Sequence, residues 1–253
     1  MFVDVAALAA LATLAALATL AAVVATGLTA GLLRVRFLPL ITMSQFFRLH
    51  PDNPQPRLIK QAAQIINDGG VVALPTDSSY ALACHLDDKT AVERLRRIRG
   101  LDERQLLSLL VRDLSELANF AMVDNRQFRL IKSVTPGPYV FVLEATKEVP
   151  RRLSHPSRKT IGLRVPDHAI TLAILEELGQ PLLGTTLIMP GETQPLNDAE
   201  EIRERLEKQV DLVIDGGPCP CEPSTIVDLT GAEPVLVRAG RGSLAPFGLE
   251  QPA

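Results

Sequence analysis

Thr76, Asp77, Ser78, Ser79 and Tyr80 set five hydrogen-bonding side chains in succession, directly after the apolar run Val71–Leu74 and Pro75. The run has the length and composition of a buried strand. Pro75 has no N–H to donate and ends the ladder. A polar turn at the end of a buried strand is where an α/β protein presents groups to a ligand; the same composition also makes a plain solvated β-turn. Basic residues crowd a second stretch, with Arg94, Arg96, Arg97, Arg99, Arg104 and Arg112 inside residues 94–112. Guanidinium forks match phosphate oxygens, while a helix C-terminus favours arginine through the macrodipole and a basic face can simply be solvated. A third stretch, TPGP at 135–138, is a rigid entry to a strand; its prolines set a turn, and they leave few N–H groups for an anion. Cys219 and Cys221 flank one proline as a metal or redox pair, yet none of His50, His85, His155 and His168 stands at zinc-finger spacing. The motifs HExxH and GxxxxGK[ST] and a cysteine-nucleophile signature are absent, and no bound metal or organic cofactor is expected.

The elements that must carry these residues alternate by period. Leu58, Ala62, Ile65 and Ile66 form one face of a helix ending at Gly69. Asp88 caps a helix with Val92, Leu95 and Ile98 inward. Leu106–Val111 reads as a strand, Asp113 and Glu116 have capping-box spacing, and Asp124 opens a helix with Phe128 and Ile131 inward. Tyr139–Ala145 and Thr160–Val165 read as strands, Asp167 caps a helix to Gly179, and Leu182–Leu187 is a strand. Asp198 opens a charged helix, and Asp211–Ile214, Thr225–Leu229 and Pro234–Val237 are short strands. Interleaved strands and helices make one α/β domain with a mixed, twisted sheet over residues 43–253.

Composition is that of a globular protein, 47% hydrophobic and 22% charged, and a net charge of −3 gives no overall steering toward nucleic acid. Three cysteines fit a reduced, cytoplasmic compartment. Residues 1–42 stand apart as an apolar, helical leader. Its core, residues 5–33, carries no charge, is long enough to span a bilayer, and is followed by Arg34 and Arg36. Two readings stand: a membrane anchor with the domain in the cytoplasm, or a translated upstream region before a true start at Met43. The repeated LATLAA at 11–22 favours the second.

Several separated blocks resemble the YrdC-like domain family, in that family's order. They are GGVVALPTDSSYALAC, RIRG, the PGP-strand, TIGLRVPDH, the strand to Pro190 and Gly191, and PSTIVDLTGAEPVLVRAG. The opening MSQFFRLHPDNPQPRLI at 43–59 is most similar to the YciO branch. The resemblance implies a twisted sheet with a concave, basic face that binds nucleotides and double-stranded RNA. It also implies a relation to L-threonylcarbamoyladenylate synthases, which join threonine, bicarbonate and ATP, with Mg2+, into threonylcarbamoyl-AMP for tRNA modification. Carried over by motif, Thr76, Ser78, Tyr80 and Arg164 would hold the amino acid. Arg99, Thr186, Ser224, Thr225 and Arg238 would hold the nucleotide. Expected partners are a nucleotide and double-stranded RNA, tRNA or rRNA, with a membrane partner only through residues 1–42.

The departures carry as much information. The family's KxR signature is Arg99-Gly100-Leu101 here, so its second cation is a leucine. Its STSAN signature is Gly184-Thr185-Thr186-Leu187-Ile188, so the asparagine is an isoleucine. Leu110 and Val140 stand where histidine and threonine are frequent. A charge-assisted hydrogen bond to phosphate is worth about 1.5–3 kcal/mol, so each one that these side chains cannot make costs a factor of ten or more. The expectation is therefore a nucleotide- or RNA-binding protein with a degenerate catalytic signature; the alternative is a noncatalytic double-stranded RNA-binding or ribosome-associated protein.

Overall fold

A computed structural model describes residues 43–250 apart from 103, 104, 106, 151 and 156. The apolar leader, Arg104 and Leu106 lie outside the described residues. The strands are β1 Gln45–Arg48, β2 Val71–Leu74, β3 Ala81–His85, β4 Ser108–Leu110, β5 Ala121–Met122, β6 Tyr139–Ala145, β7 Thr160–Arg164, β8 Leu182–Thr186, β9 Leu212–Asp215, β10 Thr225–Asp228 and β11 Val235–Arg238. The helices are α1 Pro56–Asn67, α2 Lys89–Arg99, α3 Leu114–Phe120, α4 Asn125–Val134, α5 Ala169–Leu178 and α6 Ala199–Leu206. These eleven strands share one mixed, twisted sheet in the order β1-β9-β2-β3-β8-β4-β7-β6-β10-β11, with β5 added to β6. Among the described residues no helix is long and apolar enough to cross a membrane.

Period-2 alternation sends successive side chains to opposite faces of this sheet. One face carries Val71, Ala73, Leu82, Leu109, Phe141, Leu163, Leu183 and Val213, packed against Leu95 of α2, Leu117 of α3, Ile131 of α4 and Ile202 of α6. The other carries Val72, Leu74, Ala81, Ala83, Leu110, Leu182, Leu212 and Ile214, packed against Ile59 and Ile66 of α1 and Ile170 and Ile174 of α5. That second cluster includes no residue of β6, β7, β10 or β11. Among the described residues the helices on this face therefore stop short, and the sheet beyond them lines a hollow. Register fixes what lies there: Leu110 opposes Arg164, Val140 opposes Ile226, and Ile226 opposes Arg238.

Local chemistry accounts for the helix ends. Asp88, Asp113, Asp124 and Asp198 each accept a backbone N–H from the first turn of the helix that follows. At Asp124 the capping box is complete, but Glu116 does not close the box opened by Asp113. Its carboxylate instead accepts the Arg112 N–H at 2.6 Å. Asp167 does not cap α5; His168 holds that position without a side-chain bond, and the Asp167 N–H donates to Asp77. Phe128 is exposed rather than inward, because Ile131 is the residue of α4 that is buried in the core. The strand expected from residue 106 to Val111 is Ser108–Leu110, and the one expected to Val165 ends at Arg164. Three strands had no sequence expectation: β1, β3 and β5. β3 is the return of a hairpin whose connection is the polar turn itself, and β1 adds in parallel to β9, a partner more than 160 residues away.

Leu82 is fully buried at the centre of the sheet. Leu82→Ala is expected to lower unfolding free energy by about 2–5 kcal/mol, read by urea denaturation.

Candidate anion-binding site

The turn after β2 is not solvated. Thr76, Ser78, Ser79 and Tyr80 are all buried, so the plain solvated turn is excluded by their surroundings. Thr76 organises it: its hydroxyl donates to the Ser79 carbonyl at 2.6 Å and accepts the N–H groups of Ser78 and Ser79 at 3.2 and 3.3 Å. The Ser78 hydroxyl lies 3.2 Å from that of Thr76. The Tyr80 hydroxyl donates to the Gly217 carbonyl at 2.9 Å, and burial pushes its pKa up. Tyr80 therefore ties the turn to the segment after β9.

Arg164 ends β7 on the bare face, and it is 4% exposed. A buried guanidinium needs partners on nearly every N–H. Asp77 supplies the charge, accepting Arg164 Nη2 at 2.5 Å through Oδ1, which also accepts the Asp167 N–H at 3.1 Å. The two side chains are 5% and 12% exposed. Thr76 Oγ1 accepts Nη2 at 3.3 Å, and Ser224 Oγ accepts Nη1 at 3.4 Å. Arg164 Nε is buried without a partner. Burial lowers the Arg164 pKa and Asp77 opposes that shift; the group remains a cation.

Arg238 approaches the same point from the end of β11. Its Nε and Nη2 donate to the Ser224 carbonyl at 3.2 and 2.8 Å. Two guanidiniums from different strands thus meet on one serine, one at its hydroxyl and one at its carbonyl. Burial first and then the charge of Arg164 lower the pKa of Arg238. Arg99, half-buried at the end of α2, is lowered by burial and by the charge of Arg238. A chain of three cations therefore runs from Arg164 through Arg238 to Arg99, each within the field of the next, and Asp77 is the carboxylate paired with its inner end.

The hollow is lined by Arg164, Arg238, Ser224 and Thr186, with Ser108 adding a hydroxyl, Ser79 and Thr185 also bordering it, and Ala81, Leu110, Val140, Gly184 and Ile226 forming an apolar floor. Of the residues singled out from sequence, Arg164, Arg238, Ser224 and Thr186 come together there. Thr76 bonds Arg164 directly, and Ser78 reaches it only through Thr76. Tyr80 and Thr225 spend their hydroxyls on carbonyls, Thr225 on that of Gly242 at 2.7 Å. Arg99 stands beside the lining. Ser108, Thr185 and Ile226 were not among the candidates, and Asp77 and Ser79 entered only as members of the polar turn. Alternation was the available signal for Ser108, since it shares a face with Leu110 two residues on.

The remaining candidates resolve differently. In the TPGP stretch the Gly137 N–H donates to the Val165 carbonyl at 3.0 Å, so it is not offered to a ligand. Arg94 pairs with Asp211, which also accepts the Val71 N–H at 2.7 Å. Arg96 holds the carbonyls of Asp102 and Gln105 at 2.6 and 2.8 Å. Gly100 is left-handed at φ 63°, and the Leu101 N–H donates to the Arg96 carbonyl while its side chain packs on the core. This is a helix closure with an apolar residue after the glycine, and it explains why a leucine at 101 suits the fold. Cys219 is buried, its thiol pushed up to about 12 by burial, whereas Cys221 is exposed.

Arg164→Ala would leave Asp77 buried and unpaired. The expected cost is about 3–5 kcal/mol in urea denaturation, and removing both charges together should cost less than the sum of the single changes.

The family model described as Telomere recombination, for Sua5, yciO and yrdC, matches residues 64–240. The chain is 55% identical over 205 residues to the uncharacterized protein YciO of Escherichia coli K12, covering 81% of this chain and 100% of that one. The crystal structure of E. coli YciO matches with a TM-score of 0.79 over the same shares of the two chains. Threonylcarbamoyl-AMP synthase of Mus musculus is 31% identical over 179 residues, 68% of this chain and 62% of that one. The crystal structure of P. abyssi Sua5 complexed with L-threonine matches with a TM-score of 0.72 at 27% identity, over 78% of this chain and 58% of that one.

Proposed function

The chain belongs to the family of Sua5, YciO and YrdC, and we propose that it binds a phosphate-bearing nucleotide in the hollow as a relative of threonylcarbamoyl-AMP synthase. The observation that carries this reading is the meeting of Arg164 and Arg238 on Ser224. Two guanidiniums on one serine repel, and a polyanion between them removes that repulsion while making charge-assisted hydrogen bonds. Ser224, Thr186 and Ser108 surround that point with hydroxyls that donate to phosphate oxygens. The apolar floor of Leu110, Val140 and Ile226 takes the uncharged part of the ligand.

In the synthase reaction a threonine carbamate attacks the α-phosphate of ATP and pyrophosphate leaves. Cations must then neutralise the polyphosphate as charge shifts to the leaving group, with Mg2+ entering alongside ATP as part of the substrate. Arg99, Arg164 and Arg238 fit that demand. P. abyssi Sua5 has been crystallised with L-threonine, which supports an amino acid as the second ligand here. Leu101 and Ile188 weaken the case for fast chemistry. Leu101 is packed into the helix closure, and Ile188 is half-buried and bridged to Pro195. Neither offers a donor from its side chain to a phosphate. The reading is therefore a nucleotide-binding protein with slow adenylate formation. Those same two side chains favour the second reading, a noncatalytic binder of double-stranded RNA on this face.

The test is pyrophosphate release by the full chain given ATP, Mg2+, threonine and bicarbonate. Release that depends on threonine and is lost in Arg99→Ala supports the enzyme. Absence of release together with RNA binding that weakens steeply with salt supports the second reading. On the first reading, Arg238→Ala should weaken ATP binding about tenfold or more by calorimetry, the value of one charge-assisted pair.

A further inference from the structure

Resting on the anion site proposed above, we infer that Asp77 and His168 are positioning residues for Arg164: an anion in the hollow shares Arg164 with Asp77, whose free oxygen then pairs with a protonated His168 ring. Three buried polar atoms without partners motivate this: Asp77 Oδ2, Arg164 Nε and His168 Nδ1. Buried polar atoms are nearly always partnered, so exceptions call for a physical account; Asp77 pairs with Arg164 and accepts the N–H of Asp167, the residue before His168. They are complementary in kind. The guanidinium N–H donates, the carboxylate oxygen accepts, and an imidazole nitrogen does either according to its proton.

The geometry gives each a restricted choice. Asp77 Oδ1 already receives Arg164 Nη2 and the Asp167 N–H, so Oδ2 is the oxygen left to respond to a ligand. His168 begins α5 without using its ring as a cap. The ring is half-buried and lies beside Gly216, where an added Cβ would fall 3.6 Å from His168 Cε1. The charged groups acting on the ring are Asp77 from the turn after β2, Asp167 beside it, Asp52 from the β1–α1 connection, and Arg164 from β7.

In the free chain, burial is the largest influence on His168 and holds its pKa below that of an exposed imidazole, so the ring is neutral near pH 7. An arriving anion takes part of Arg164's charge from Asp77. The negative potential at Asp77 rises, and the ring takes a proton from solvent to meet it. The ring's pKa is then higher in the bound state than in the free state. The gain in affinity is complete below the free-state value and is lost as pH rises through the bound-state value.

Sulfate is a suitable probe, because its charge does not change over this range. The four histidine ring signals of the full chain are titrated by NMR with and without sulfate, at ionic strength matched with chloride. Sulfate affinity is followed by thermal shift from pH 7.5 to 5.5. We expect sulfate to raise the His168 midpoint by about half a unit, and the affinity to tighten as pH falls, toward a limit of about threefold below the free-state midpoint. His168→Gln should flatten that pH dependence, and Asp77→Asn should do the same. If Asp77→Asn fails to fold, the ring titration of the unaltered chain and His168→Gln decide. Sulfate that binds while the His168 midpoint stays fixed overturns the inference, as does an unchanged pH dependence in His168→Gln. Sulfate that neither stabilises the chain nor moves any ring overturns the anion site itself, and this inference with it.

Discussion

A guanidinium held in the interior by a single carboxylate is the interaction on which the site depends. Arg164 sits at the end of a central strand with 4% of its surface exposed, and the desolvation of such a group is several kcal/mol before any partner is counted. Asp77 offsets that cost and, by accepting the Asp167 N–H as well, joins the turn after β2 to the connection between β7 and α5. Thr76 completes the arrangement by bonding both its own turn and Arg164. A pair of this kind is weak evidence for stability, since apolar residues could fill the same volume at less cost. Its value here is placement: it holds a cation still at the edge of a hollow.

The hollow itself follows from uneven helix cover. Four helices pack on one face of the sheet, whereas α1 and α5 cover only the half of the other face around β9, β2, β3 and β8. Among the described residues, β7, β6, β10 and β11 lie outside the cluster under α1 and α5, and their in-register positions bring Arg164 and Arg238 to the same surface with Val140 and Ile226 between. Neither arginine would need to be near the other on sequence grounds. The sheet order brings β7 and β11 within three strands, and Ser224 gives both guanidiniums a common partner.

Membership in the Sua5, YciO and YrdC family accounts for the blocks that the chain shares with threonylcarbamoyl-AMP synthases. The structure adds a reason for one departure. Leu101 follows a left-handed glycine and packs back onto the core, so at this position helix closure and an outward cation are competing uses of one residue. A similar competition is visible at Tyr80 and Thr225, whose hydroxyls are directed to backbone carbonyls and brace the hollow from behind.

Sequence alone determined the α/β class, most strand and helix positions, the aspartate caps other than that of Asp167, and the family, because these rest on local periodicity, on side chains within one turn, and on contiguous motifs. Arg164, Arg238, Ser224 and Thr186 were legible through those motifs. Tertiary structure alone decided that the polar turn is buried, that Asp77 pairs with Arg164, and that Ser108 lines the hollow. It also placed Phe128 outside and gave the helix after Asp167 a different first residue. The physical reason is shared by all of these. Whether a hydroxyl or carboxylate meets solvent, a carbonyl or a guanidinium depends on which strands are neighbours, and that order joins residues far apart in the chain, as when Arg164 meets Asp77 and Ser224.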